Sequence, residues 1–212
     1  MTTPTRICLV RHGETDWNVE KRLQGQLDVP LNAVGRAQAR AVARSLAAEH
    51  FSAIYSSDLS RAMDTARAIA EGLGLTVRAS PSLRERHFGV YQGLTQDEAR
   101  QSDPEGYARY RGREPDHVIP GGESLKHLAE RITASLTELA LAHSGETILL
   151  VSHGGVLDIA HRLAADQPLE TQRDFTISNA AMNWISFDAG RWGLLAWDEK
   201  PHLSAALDEL PG

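Results

Sequence analysis

The chain has 212 residues, 42% of them hydrophobic and 24% charged, with a formal net charge of −6. A chain of this length can bury roughly 70% of its unfolded surface, enough for one full core. Its acidic balance excludes a general binder of nucleic acid or of an anionic membrane, because such partners need a basic face to displace counterions.

The first element is the apolar run "ICLV" (7–10), read as a buried strand. Cys8 within it is the only cysteine, which excludes an intrachain disulfide and a cysteine-based metal site and makes Cys8 a core residue. "MTTPTR" ahead of this strand does not read as a signal peptide, and no run approaches the roughly 18 apolar residues of a membrane span. A cytoplasmic protein is therefore expected. Asn32 can cap a helix to about Glu49, with Val34, Ala37, Ala41 and Val42 at helical spacing. "AIYSS" (53–57) is a second strand, and Leu59, Met63, Ala66, Ala70 and Leu73 line a second helix closed by the glycines of "GLGL". "TVRAS" (76–80) reads as a third strand.

A Gly-, Pro- and Arg-rich stretch follows, with a lid-like insertion at about 95–122. Ser124 then caps a long core helix whose apolar side is Leu125, Leu128, Ile132, Leu136 and Leu139. "TILLVS" (147–152) is the clearest buried strand, and a helix runs on to about Ala165. "MNWISFDAGRWGLLAW" alternates around Asp188–Gly190 as a hairpin does, and its Trp184, Trp192 and Trp197 read as packing residues. No repeat or linker divides the chain, so one domain over 1–212 is expected. The alternation implies an α/β fold, a three-layer α/β/α sandwich with a mainly parallel central sheet and an antiparallel edge. That hairpin edge leaves two alternatives open, pairing with a second copy as a homodimer or protection of the edge within a monomer.

Ligands of open α/β sheets bind beyond the carboxyl ends of the strands, and three of these strands end in unusual polar residues. The first delivers Arg11 and His12; the second leads through "SSDLSR" to Arg61; the fourth delivers His153 in "SHGG". Two arginines and two histidines at one sheet edge make a positive pocket in an acidic chain, and phosphate is the anion that two guanidinium forks and helix N-termini hold best. A neutral histidine there can attack phosphorus in line, with the remaining cations stabilising the transition state. "LRERHFGVYQG" (83–93) offers Glu85 as a carboxyl able to protonate a leaving alcohol, although the spacing alone does not choose it over nearby acids. The other seven histidines read as solvated or locally bonded: His50, His127, His143 and His161 on helices, His87 and His117 in loops, His202 in the tail.

"LVRHGETDWN", "LQGQLDVPLNAVGRAQA", "SSDLSRAMDTA", "LRERHFGVYQG", "PGGES" and "VSHGG", in that order from residue 7 to about 187, resemble the histidine phosphatase superfamily, the phosphoglycerate mutase-like enzymes. The resemblance implies that His12 is the nucleophile and Glu85 the proton donor. It implies that Arg11 and Arg61 bind phosphate and that His153 binds phosphate and assists the nucleophile. Asn18, Gln24 and the amide of Gly154 match positions that line the phosphate pocket, and neither metal nor organic cofactor is implied. Dedicated mutases of the family carry a longer insertion with an adjacent arginine pair. Here the interval is short and offers Arg109, Arg111 and Arg113 separately, so the expectation is a phosphatase of small phosphorylated metabolites. A cofactor-dependent mutase is the alternative. A non-catalytic phospho-ligand module, expected to lose His12 or Glu85, and a metal-dependent hydrolase built on His12 and His153 are the readings from other classes.

Overall fold

The structure is a computed structural model and describes residues 3–204. Its centre is a six-stranded sheet in the order β3-β2-β4-β1-β5-β6. β1 (Thr5–Arg11), β2 (Ala53–Ser56), β3 (Val77–Ala79) and β4 (Thr147–Ser152) run parallel, with β1 against β4, β4 against β2 and β2 against β3. β5 (Met182–Asp188) and β6 (Arg191–Glu199) add the antiparallel side. The hairpin between them turns at Ala189 and Gly190, both in the left-handed region at φ 48° and 80°, the geometry that matches the twist of its strands.

Alternate residues of β1 and β4 feed two cores. Ile7, Leu9, Ile148 and Leu150 face the layer of α6 (Leu125–Ala142) and α7 (Gly154–Ala165). Cys8, Val10, Leu149 and Val151 face the layer of α2 (Ala33–Leu46) and α3 (Ser60–Leu73). Both faces are covered, which is why these strands read as unbroken apolar runs. Helix ends follow local chemistry. Asn32 accepts from Gly35 N, Ser124 accepts from His127 N, and Gly74 closes α3 at φ 65°. Leu59 gives α3 no side-chain cap; a carboxylate of Asp28, distant in sequence, takes the N–H of Ser60 at 2.8 Å instead.

Some boundaries differ from expectation. The first strand extends through Arg11, and the third shortens to three mostly exposed residues because it is a sheet edge. The first long helix ends at Leu46, which leaves His50 in the coil before β2 rather than on a helix. The insertion holds two helices, α4 (Gln96–Ser102) and α5 (Pro104–Arg111), and α1 (Asp16–Val19) follows β1. The insertion has a core of its own, formed by Tyr91, Ala99, Tyr107 and Ile119 with Phe88 and Tyr110 against them. Trp184 is buried and stacks on Phe51, while Trp192 and Trp197 pack on the α6–α7 side. Among the described residues no helix is long and apolar enough to cross a membrane.

The chain leaves β1 toward the α2–α3 face and leaves β4 toward the α6–α7 face. These neighbouring strands therefore open a crevice at their carboxyl ends, the topological switch point of the sheet.

Candidate active site

Arg11 and His12 leave the end of β1, and His153 leaves the end of β4, at that switch point. His12 N–H donates to Ser152 O at 2.9 Å, so the two segments stay paired one residue beyond the strands. Gly13 is required there, since a Cβ on it would fall against the backbone of Gly35. His12 Nδ1 lies 2.7 Å from Gly13 O. A carbonyl only accepts, so Nδ1 carries the proton and Nε2 keeps its lone pair. Burial and the charges of Arg61 and Arg11 hold the pKa of His12 well below its ordinary value of 6.5, which keeps the ring neutral.

Arg61, fully buried in the first turn of α3, is aimed by the carbonyls of Gly25 and Leu27 at 2.7 and 2.9 Å. Burial pulls its pKa down to about 10, still cationic at neutral pH. Arg11 donates through Nη1 to Ile177 O at 2.7 Å. Among the described residues the Nε atoms of both arginines are buried without a hydrogen-bond partner, as are both ring nitrogens of His153. The His153 ring centroid stands 5.2 Å from that of His12. Burial first, then the neighbouring Arg61 and His12, hold its pKa well below 6.5. So many unpaired buried donors at one point are costly unless an anion accepts from them.

Glu85 reaches the same place from an irregular segment. Its two carboxylate oxygens accept from Gly155 N at 3.1 and 3.0 Å, and Arg86 N donates to Oε1 at 2.8 Å. A Cβ on Gly154 would lie 3.8 Å from both Arg11 Nε and Glu85 Oε2, so the start of α7 runs between the arginine and the acid. His153 supplies no side-chain cap to that helix, and the positive end of its dipole faces the cavity.

Asn18 lines the cavity, but its Oδ1 accepts from Thr15 N in a capping box, so a bond from its side chain to an anion comes from Nδ2. Gln24 spends Nε2 on Thr15 Oγ1 at 2.8 Å and leaves Oε1 buried without a partner. Reaching phosphate would require a rotated amide, with the Thr15 hydroxyl as donor to Oε1. Arg109 does not line the cavity; it pairs with exposed Glu114, whereas Arg111 and Arg113 do line it. Among the described residues no group of three or more His, Cys, Asp or Glu is placed to hold a metal ion.

Three positioning residues escaped the sequence reading. Gly155 has no Cβ, which would otherwise fall on Glu85 Oε1. Arg131 holds the carbonyls of Ser82 and Arg84 at 2.9 Å and a carboxylate oxygen of Glu123 at 2.9 Å. Glu123 in turn accepts from His87 N at 2.8 Å. The glycine pair in "SHGG" and the Glu of "PGGES" were visible, but their tasks depend on segments tens of residues away.

The family model described as "Histidine phosphatase superfamily (branch 1)" matches residues 7–200. The chain is 42% identical over 201 residues to "Phosphoglycerate mutase-like protein 4" of Arabidopsis thaliana, covering 93% of this chain and 86% of the relative. It is 41% identical over 204 residues to "Metal-independent phosphoserine phosphatase" of the same organism, covering 95% and 84%. The solved structure of Bacillus stearothermophilus YhfR superimposes with a TM-score of 0.88 at 32% identity, covering 94% of this chain and 99% of that one. The match runs through the strand ends that carry Arg11, His12 and His153, and through the segments of Arg61 and Glu85. With a shared sheet as well, the chain belongs to the histidine phosphatase superfamily.

Proposed function

We infer that the protein hydrolyses small phosphate monoesters through a phosphohistidine on His12. The observation that carries this reading is the His12 ring: its Nδ1 proton is fixed on Gly13 O and its pKa is depressed, leaving an Nε2 lone pair in a cationic cavity of about 450 Å³. Nε2 attacks phosphorus as the P–O bond to the alcohol breaks, and Glu85 gives its proton to the departing oxygen. Arg11, Arg61, His153 and the Gly154 amide bind the equatorial oxygens, whose charge spreads in the transition state. Glu85, now a carboxylate, takes a proton from water. The resulting hydroxide displaces His12 from phosphorus, releasing orthophosphate and restoring both residues.

The test is phosphate release from a panel of monoesters with EDTA present, alongside rapid-quench trapping of an acid-labile, alkali-stable phosphoenzyme. Turnover that dies with chelation and returns with zinc would replace this reading by metal-dependent hydrolysis. Binding without turnover would leave a phospho-ligand module. A second reading, phosphoglycerate mutase, is favoured by the names of several relatives and by the arginines along the cavity. Isomerisation of 3-phosphoglycerate outrunning phosphate release, with a bisphosphorylated primer present, would establish it. We also propose a cytoplasmic setting and a small phosphorylated metabolite, rather than nucleic acid or a membrane, as the ligand, on the strength of the acidic composition and the cationic pocket.

A further inference from the structure

Tyr55 on β2, Arg78 on β3, His143 just past α6 and Glu146 just before β4 meet in one cluster, and none of them lines the phosphate cavity. Glu146 and His153 flank β4 at its two ends, which puts roughly 20 Å of strand between the cluster's carboxylate and the cavity. The Tyr55 hydroxyl lies 2.9 Å from His143 Nε2, and His143 Nδ1 lies 2.6 Å from Glu146 Oε2. Arg78 Nη1 donates to the Tyr55 hydroxyl oxygen at 2.9 Å. A carboxylate only accepts, so Nδ1 carries the ring proton; in the neutral ring Nε2 then accepts, and the phenol is the donor. The bond from His143, first, and one from Ser52 hold the Glu146 carboxyl below its ordinary value of 4.5, so it is ionised at neutral pH.

The cluster is held from several directions. In the sheet register Tyr55 stands beside Arg78, so both side chains leave the same face, and the guanidinium carbon sits 5.4 Å from the Tyr55 ring centroid. The phenol ring packs on the α6–α7 core and meets the His143 ring edge-on at 5.7 Å. Thr5 Oγ1 donates to His143 O at 3.2 Å, and Glu146 N donates to the same carbonyl at 2.9 Å. That second bond closes a turn through Gly145 at φ 80°, which returns the Glu146 carboxylate to the ring. The His143 side chain is 12% exposed and Glu146 49%, whereas the bond from Arg78 to the phenol lies in the open, at the sheet's edge strand. The base is shielded, and the oxygen it serves is within reach of solvent.

Of the chain's four tyrosines, Tyr91 gives its O–H to the Asp103 carboxylate and Tyr107 to Gln96. Among the described residues only Tyr55 gives it to an imidazole. A hydroxyl, a base within hydrogen-bond reach and a third group orienting that base make an activated nucleophile, here with a fixed cation on the attacking oxygen. We propose that Tyr55 is a second nucleophilic centre, independent of His12, that takes an acyl group from an activated ester. Tyr55 Oη attacks the carbonyl carbon, and its proton passes to His143 Nε2. The bond from that carbon to the ester oxygen breaks; the departing oxygen takes the proton from His143, or leaves it to water when it departs as a stable phenolate. An O-acyl tyrosine and a free alcohol or phenolate result, and Arg78 offsets the charge on the phenol oxygen as its proton leaves.

The test is incubation with p-nitrophenyl acetate, with acetylation of the Tyr55 peptide followed by mass spectrometry. Its rate constant is expected to exceed that of N-acetyltyrosinamide in the same buffer by about 100-fold. His143→Gln is expected to lower it by about 100-fold and Glu146→Gln by about 10-fold. Glu146 is exposed, so its variant keeps the test should His143→Gln fail to fold. A Tyr55 rate equal to that of the free amide overturns the proposal, as does an undiminished rate in folded His143→Gln or Glu146→Gln. Tyr55→Phe is expected to release phosphate from p-nitrophenyl phosphate at the wild-type rate; a loss there would make the cluster part of the phosphatase and overturn its independence. Fast acetylation of Tyr55 in a protein that turns over no monoester supports this site and removes only the phosphatase reading.

Discussion

The two halves of the cavity are built by different means. The half we assign to phosphate stands on strand and helix ends: Arg11 ends β1 and His12 follows it, His153 follows β4, and Arg61 is in the first turn of α3, all tied by backbone hydrogen bonds or buried carbonyls. The acid half and the mouth stand on irregular segments that arginines fasten: Glu85 by the Gly155 amide and the Arg131–Glu123 pair, the insertion by Arg113 on Asp158. Attack on phosphorus tolerates little misplacement, so its groups sit on the stiffest part of the fold. Groups that meet the variable alcohol sit where sequence can change without disturbing the sheet.

The sharpest way to break this comparison is His12→Ala. It is expected to lower kcat by at least about 10⁴-fold and to abolish the trapped phosphoenzyme; ordinary turnover would dissolve the assignment of the two halves. Next in size is Glu85→Gln, expected to slow alkyl phosphates by about 10²- to 10³-fold and p-nitrophenyl phosphate far less, since p-nitrophenolate departs without a proton. Equal losses on both would mean that Glu85 is not the acid.

Gly155→Ala should act through the same acid. A methyl placed on Glu85 Oε1 displaces the carboxyl, so kcat on an alkyl phosphate is expected to fall about 10-fold with little change in KM. Combined with Glu85→Gln it should add almost nothing; full additivity in that cycle would make Gly155 merely structural.

The smallest effect is on stability. His12 and His153 have pKa values below 6.5 in the folded state, so between those values and 6.5 the unfolded chain binds protons that the folded one does not. Stability from this source is level above pH 6.5 and declines as pH falls below it, by about 1.4 kcal/mol per unit of depression for each ring. Thermal melts against pH should show a shallower acid decline for His153→Gln than for the wild type, and parallel curves would contradict the burial argument.

Much of the frame was readable from residues 7–10 and 147–152, because a strand buried on both faces must be apolar throughout, and from Asn32 and Ser124, because a cap is a local bond. The failures share a cause. His50 lies beyond the end of α2 because helix boundaries depend on packing as much as periodicity. The two helices inside the lid-like insertion do not show in the sequence, because they are short and held by the Tyr91–Tyr107 cluster rather than by an amphipathic stripe of their own. The three insertion arginines look alike in sequence, yet Arg109 points to Glu114, Arg113 to Asp158 and Arg111 to the cavity.

The residues that end the strands at the sheet's carboxyl edge could be read from the sequence, and so could the gathering of Arg11, His12, Arg61 and His153 at one place in this acidic chain. Hydrophobic periodicity and capping act within a few residues, so they survive in a linear string. Packing decided that Glu85 meets the Gly155 amide, that Gln24 turns its donor to Thr15, and that Arg86, Arg111 and Arg173 have no carboxylate ion pair among the described residues. Those outcomes turn on which charged and polar groups become neighbours once distant segments pack. No local pattern encodes that pairing, because a guanidinium accepts many partners and only burial and distance choose among them.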